Sequence, residues 1–252
     1  MPHFITNRPR KFAVWQDSGV LKSHFRWEYV NVVVYAVGGL IFVLGSVFFL
    51  PELTDLIEVG AWLFVVGSFL YLIVSSHDFV EFLHYENKKS ILDATAAITY
   101  ILGSLLFIVG SILFLPQVEE QIAGAWCFIT GSAVFVVGAI LNAMQVFEFS
   151  TVWTQRYMNL TAACYMIGST LFASASVPYL FSFDDAGDKL TLDRYLGYQY
   201  ILGSLFFLLG GLLNGLRAYL LQTGETKKQE DQVHYASQTA DEHNKRNRAN
   251  EA

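Results

Sequence analysis

Apolar and polar positions alternate along this chain on two scales. On the long scale, six apolar stretches, roughly 30–50, 59–77, 94–115, 123–144, 158–180 and 196–221, are separated by shorter polar segments. Each is about 19–26 residues long, enough to cross a hydrocarbon core of about 30 Å at 1.5 Å per residue. Lipid offers no hydrogen-bond partners, so spanning segments of this length are helices. A barrel would need short alternating segments instead, and none occurs in the sequence.

On the short scale, glycines and aromatics step by 4, 3, 4 within each stretch. Gly38, Phe42, Gly45 and Phe49 share one helix face, as do Gly103, Phe107, Gly110 and Phe114, and Gly168, Phe172, Ala175 and Tyr179. This is the spacing of a left-handed supercoil seam. Small residues let helices approach closely, which is the main attraction between helices in lipid. Sixteen of the 19 glycines fall in or at the ends of the apolar stretches. Gly38, Gly45, Gly67, Gly103, Gly110, Gly131, Gly168 and Gly203 are the expected packing positions. Ser46, Ser111 and Ser176 are expected to bond back to a carbonyl one turn earlier or to reach a neighbouring helix. The Gly-Ser pairs are not phosphate loops, since they lie inside apolar stretches with no lysine after them.

The pattern recurs with a period near 65 residues, so the chain reads as one hairpin repeated three times. The third copy is degraded: Ala175 replaces a glycine and Tyr198 stands where Trp62 and Trp126 stand in the others. The expected fold class is all-α, a polytopic bundle of six transmembrane helices made of three tandem helical hairpins. The expected units are a polar N-terminal segment (1–28), hairpins at 29–86 and 92–150, a divergent hairpin at 157–221, and a disordered tail (222–252). Pro51 and Pro116 end the first and third helices. The third hairpin has a longer turn, with Asp184, Asp185 and Asp188.

Composition agrees: 54% of residues are hydrophobic and 15% charged, which excludes an ordinary soluble domain. Fourteen of the 16 basic residues lie on the side of the termini, so both termini are expected in the cytoplasm. A cytoplasmic membrane is expected if the source is bacterial. No cleavable leader is expected, because the polar lead is long and no small-residue cleavage site follows the first apolar stretch. The opposite side is acidic, a weak signal that follows from keeping basic residues inside. Cys127 and Cys164 read as buried free thiols. A net charge of −6 with dispersed basic residues excludes nucleic acid as a partner.

The second helix of each copy carries its glycine seam to a polar residue. Gly67, Tyr71, Val74 lead to Asp78; Gly131, Phe135, Gly138 to Asn142; Gly203, Phe207, Gly210 to Asn214. Three residues further on stand Glu81, Gln145 and Arg217. Around a pseudo-threefold axis these six would form two stacked polar layers. Polar groups within a membrane are costly and need partners. They serve either as structural locks, with Arg217 neutralising Asp78 or Glu81, or as an ion or proton site. His77 and His84 flank Asp78 and Glu81, but Leu141 and Leu213 take the His77 position in the other copies, which argues against a metal.

The run Gly45-Ser46 to Phe49, then Trp62, Phe64 and Gly67-Ser68, resembles the YrhK-like domain, a small two-helix membrane unit. So does Gly110-Ser111 to Phe114 with Trp126, Phe128 and Gly131-Ser132. The resemblance implies a hairpin fold over about 29–221 and carries no functional residue with it. It also implies that a fused triple mimics an oligomer of single hairpins. The resulting expectation is a non-enzymatic multi-pass membrane protein without cofactor or metal, acting as a scaffold or accessory subunit. Its partners would be the bilayer and other membrane proteins or copies of itself. The alternative is a cation or proton channel or transporter using Asp78 and Glu81.

Overall fold

The computed structural model describes residues 20–83, 91–144, 152–181 and 185–250. Six helices run through them: α1 (Val20–Val47), α2 (Ile57–Leu83), α3 (Ile91–Leu113), α4 (Gln121–Met144), α5 (Val152–Ser176) and α6 (Ala186–Asn250). Each contains a span long and apolar enough to cross a membrane: Tyr29–Val47, Pro51–Val80, Ala94–Leu113, Gln121–Met144, Arg156–Leu180 and Lys189–Leu220. The fold class is the one the hydrophobic pattern predicts. Prolines sit where helices stop. Pro51 opens a 3-10 turn, Pro51–Leu56, and Pro178 lies in another, Val177–Leu180.

Neighbouring helices in sequence pack side by side, and α6 also packs along α1. The six helices therefore close into a ring. Neighbouring helices run antiparallel, so the starts of α1, α3 and α5 lie with the ends of α2 and α4 at one end of the ring, the terminal end, and the turns that follow α1 and α3 lie at the other.

The apolar character runs all round each helix, and burial follows a seven-residue pattern within it. In α4 the inward positions are Gly124, Ala125, Phe128, Gly131, Ser132, Phe135, Gly138, Ala139 and Asn142. Outward positions such as Ile122, Trp126, Val137 and Ile140 are exposed and face lipid. Two small residues and one large ring per heptad let neighbouring backbones close up while the ring reaches the axis. A methyl added at Gly103 would sit 2.5 Å from the Phe135 ring, and at Gly168 it would sit 2.9 Å from the Gly203 carbonyl oxygen.

Ser46, Ser111 and Ser176 each donate to the carbonyl four residues earlier, at 2.6–2.7 Å. Ser46 also meets Ser204 at 2.8 Å across the seam that closes the ring. At the turn end, Arg194 of α6 pairs with Glu52 at 2.7 Å.

Two segments differ from the sequence expectation. The extra residues of the third hairpin extend α6 rather than lengthening a loop. Asp185 caps it, its carboxylate accepting from the Gly187 amide at 2.8 Å. At its far end α6 continues to Asn250, over residues expected to be a disordered tail. No proline follows Pro178, and extending an existing helix avoids the cost of nucleating a new one. Of the cysteines, Cys164 is buried and Cys127 only half-buried; both are free thiols.

Candidate functional site

The inward rings meet on the axis in threes, one from each hairpin. Phe42, Phe107 and Phe172 form one triad, with centroids 5.5–6.4 Å apart. Phe64, Phe128 and Tyr200 form the next, at 6.1–6.4 Å. All six are at most 1% exposed, so no open path follows the axis through them.

The triads stack alternately from odd- and even-numbered helices. In the first hairpin the order reads Phe49, Phe64, Phe42, Tyr71, Tyr35, with successive centroids 4.1–5.4 Å apart. Contacts of this kind are worth about 0.5–1.5 kcal/mol each beyond the area they bury.

Chemistry changes towards the terminal end. After the phenylalanines come Tyr71, Phe135 and Phe207, then Tyr35, Tyr100 and Tyr165. One heptad beyond the Tyr71 position stand Asp78, Asn142 and Asn214, at 6%, 0% and 4% exposure. The Tyr100 hydroxyl faces the Asn142 amide and lies within the field of Asp78. Arg217 is 1% exposed, and its Nη1 donates to the Met158 sulfur at 2.8 Å. Asp78, Asn142, Asn214 and Arg217 are therefore all interior, on the face that carries the aromatic triads. The Glu81 side chain, Gln145 and His84 lie outside the described residues. The packing glycines Gly38, Gly45, Gly67, Gly103, Gly110, Gly131, Gly168 and Gly203 are all buried.

Sequence reasoning placed Tyr71 on a glycine seam and gave no role to the hydroxyls of Tyr35, Tyr100 and Tyr165. The signal was present: Tyr35, Tyr100 and Tyr165 are spaced 65 residues apart, one turn from the polar position of the helix beside them. Met158 as the Arg217 acceptor had no such signal, because thioethers are weak acceptors and rarely expected to hold a guanidinium.

A closed ring of six apolar helices with an aromatic interior defines a multi-pass membrane protein. Its first two hairpins, residues 25–82 and 90–147, match the family described as YrhK-like protein, and these hairpins belong to that family. The third hairpin lies outside the matched residues, yet Phe172 and Tyr200 complete triads begun by the other two. No curated protein and no solved structure matches the chain.

Proposed function

We propose that this chain is a non-enzymatic structural protein of the cytoplasmic membrane, a scaffold or accessory subunit, with both termini in the cytoplasm. The observation that carries this reading is the aromatic filling of the axis. Six rings at most 1% exposed occupy the space that a conduit would need for water or ions. The groups with chemical potential, Asp78, Asn142, Asn214 and Arg217, are enclosed behind helices, out of reach of a substrate larger than water. The basic residues gathered at the terminal end support the orientation. The outward Leu, Val and Ile positions supply the surface for lipid and for membrane partners.

Reconstitution into liposomes tests this reading. Wild-type protein should pass protons, Na⁺ and K⁺ no faster than empty liposomes. Flux that disappears in Asp78→Leu or Glu81→Gln would replace the scaffold with a conduit and locate its site.

A further inference from the structure

Three seams join one hairpin to the next around the ring: α2–α3, α4–α5 and α6–α1. Connections in the chain tether the first two. The third is closed by contacts alone, among them Ser46 with Ser204 and Glu52 with Arg194. Equivalent residues can be compared across the seams. Tyr35, Tyr100 and Tyr165 set the register of α1, α3 and α5, and Phe64, Phe128 and Tyr200 that of α2, α4 and α6.

The untethered seam is closer. A methyl on Gly39 would sit 2.9 Å from the Cα of Leu208, which is α6 backbone. Ser104 and Ser169 hold the same position in α3 and α5, carry a side chain there and are 0% exposed. At this level α1 therefore approaches its neighbour more closely than α3 and α5 approach theirs.

One heptad towards the terminal end, the residues that meet across the seams differ in size. On α6–α1, Gly215 faces Val32: an added methyl would lie 2.6 Å from the Val32 Cγ1 but 3.7 Å from its Cβ. On α2–α3 the sizes are reversed. Phe79 takes the Gly215 position and packs on a cluster that includes Ala97, which takes the Val32 position. On α4–α5 both are small, Ala143 and Ala162. These combinations do not interchange. Phe79 brought against Val32 would overlap it, since that site has no room even for a methyl. Gly215 brought against Ala97 would leave the space of a benzyl group empty. Overpacking and voids each cost stability.

We infer that the pairs Val32–Gly215 and Phe79–Ala97 fix the order of the hairpins around the axis. The free edge of α1 accepts the third hairpin and refuses a first or second hairpin from another copy. Such discrimination works through the clash with the wrong partner as much as through contact with the right one. The repeat alone would let any of these edges pair, because the spacing of small residues is common to all three hairpins. A third hairpin from a neighbouring copy offers the right edge, but the chain's own is held at far higher local concentration. The inference is independent of the scaffold reading, since it concerns the outer seams and not the axis.

The test rebuilds the pair of one seam in another. With Cys127→Ser and Cys164→Ser as background, Ser46→Cys with Ser204→Cys reports closure as a disulfide within one chain in native membranes. Gly215→Phe should cut its yield at least about threefold and lower the thermal unfolding midpoint in lipid discs by at least about 4 °C. Adding Val32→Ala recreates the Phe79–Ala97 pair at the closing seam. It should recover more than half of both losses, although alone it lowers the midpoint. Val37→Ala, on the lipid-facing side of the same helix, should recover nothing. No effect of Gly215→Phe would overturn the inference. So would a Gly215→Phe protein that Val32→Ala does not restore, or that Val37→Ala restores equally. Disulfides joining differently tagged copies, in place of those within one chain, would overturn closure of the ring on itself.

Discussion

Along the bundle axis, the triads near the hairpin turns and those near the termini occupy the same heptad positions but are filled differently. Towards the turns the positions hold Phe42, Phe107 and Phe172, then Phe64, Phe128 and Tyr200, whose rings close on one another. Towards the termini they hold tyrosines, then Asp78, Asn142 and Asn214. One backbone plan thus supports a dry, dispersion-held half and a polar half. In the first half stability comes from shape. In the second it depends on whether each donor and acceptor finds a partner, and unsatisfied members cost more than an apolar substitute.

The largest effect that would sharpen this contrast is truncation of the central ring. Phe42 meets Phe64, Tyr71, Phe107, Phe172 and Phe207. Phe42→Ala should lower unfolding stability by about 3–5 kcal/mol, read from thermal or denaturant unfolding in detergent. A loss below about 1 kcal/mol would mean that the triads are not what holds the ring closed.

A smaller loss is expected where a helix seam is forced open. In Gly168→Ala the new methyl meets the Gly203 carbonyl oxygen at 2.9 Å, and backbone cannot step aside as a side chain can. About 1–3 kcal/mol should be lost in the same assay. Gly210→Ala meets the Tyr165 ring at 3.1 Å and the Cys164 Cβ at 3.3 Å, and should cost less. Equal losses at the two sites would show that the seam accommodates strain through the backbone.

The smallest effect should come from Asp78→Asn, which makes the polar triad uniform with Asn142 and Asn214. It keeps the hydrogen-bonding shape, so a change within about 1 kcal/mol is expected. A loss above about 3 kcal/mol would identify Asp78 as the counter-charge of Arg217, since removing one member of a buried pair strands the other. That result would make the terminal half an electrostatic structure rather than a hydrogen-bonded one.

Much of this was legible before any coordinates. Stretches of about 20 apolar residues admit only helices in lipid, so the six spans follow from composition and length. Small residues spaced by 4 and 3 mark the faces that pack, and the buried Gly67, Gly131 and Gly203 lie on them. The polar residues Asp78, Asn142, Asn214 and Arg217 stood out as costly within such segments. The extent of α6 was less legible, because a polar run without an apolar period carries no packing signal, whereas an unbroken ladder from a formed helix needs none.

The sequence by itself determined the repeat, the helices and the face each turns inward, because those depend on local spacing and on the solvent. Only the tertiary structure decided that α6 returns to α1 and that rings 65 residues apart meet on one axis. It alone placed the sulfur of Met158 against Arg217 and the hydroxyl of Tyr100 against the Asn142 amide. A heptad names a face but not what it meets. That depends on how many helices close the ring and on the width of the space between them.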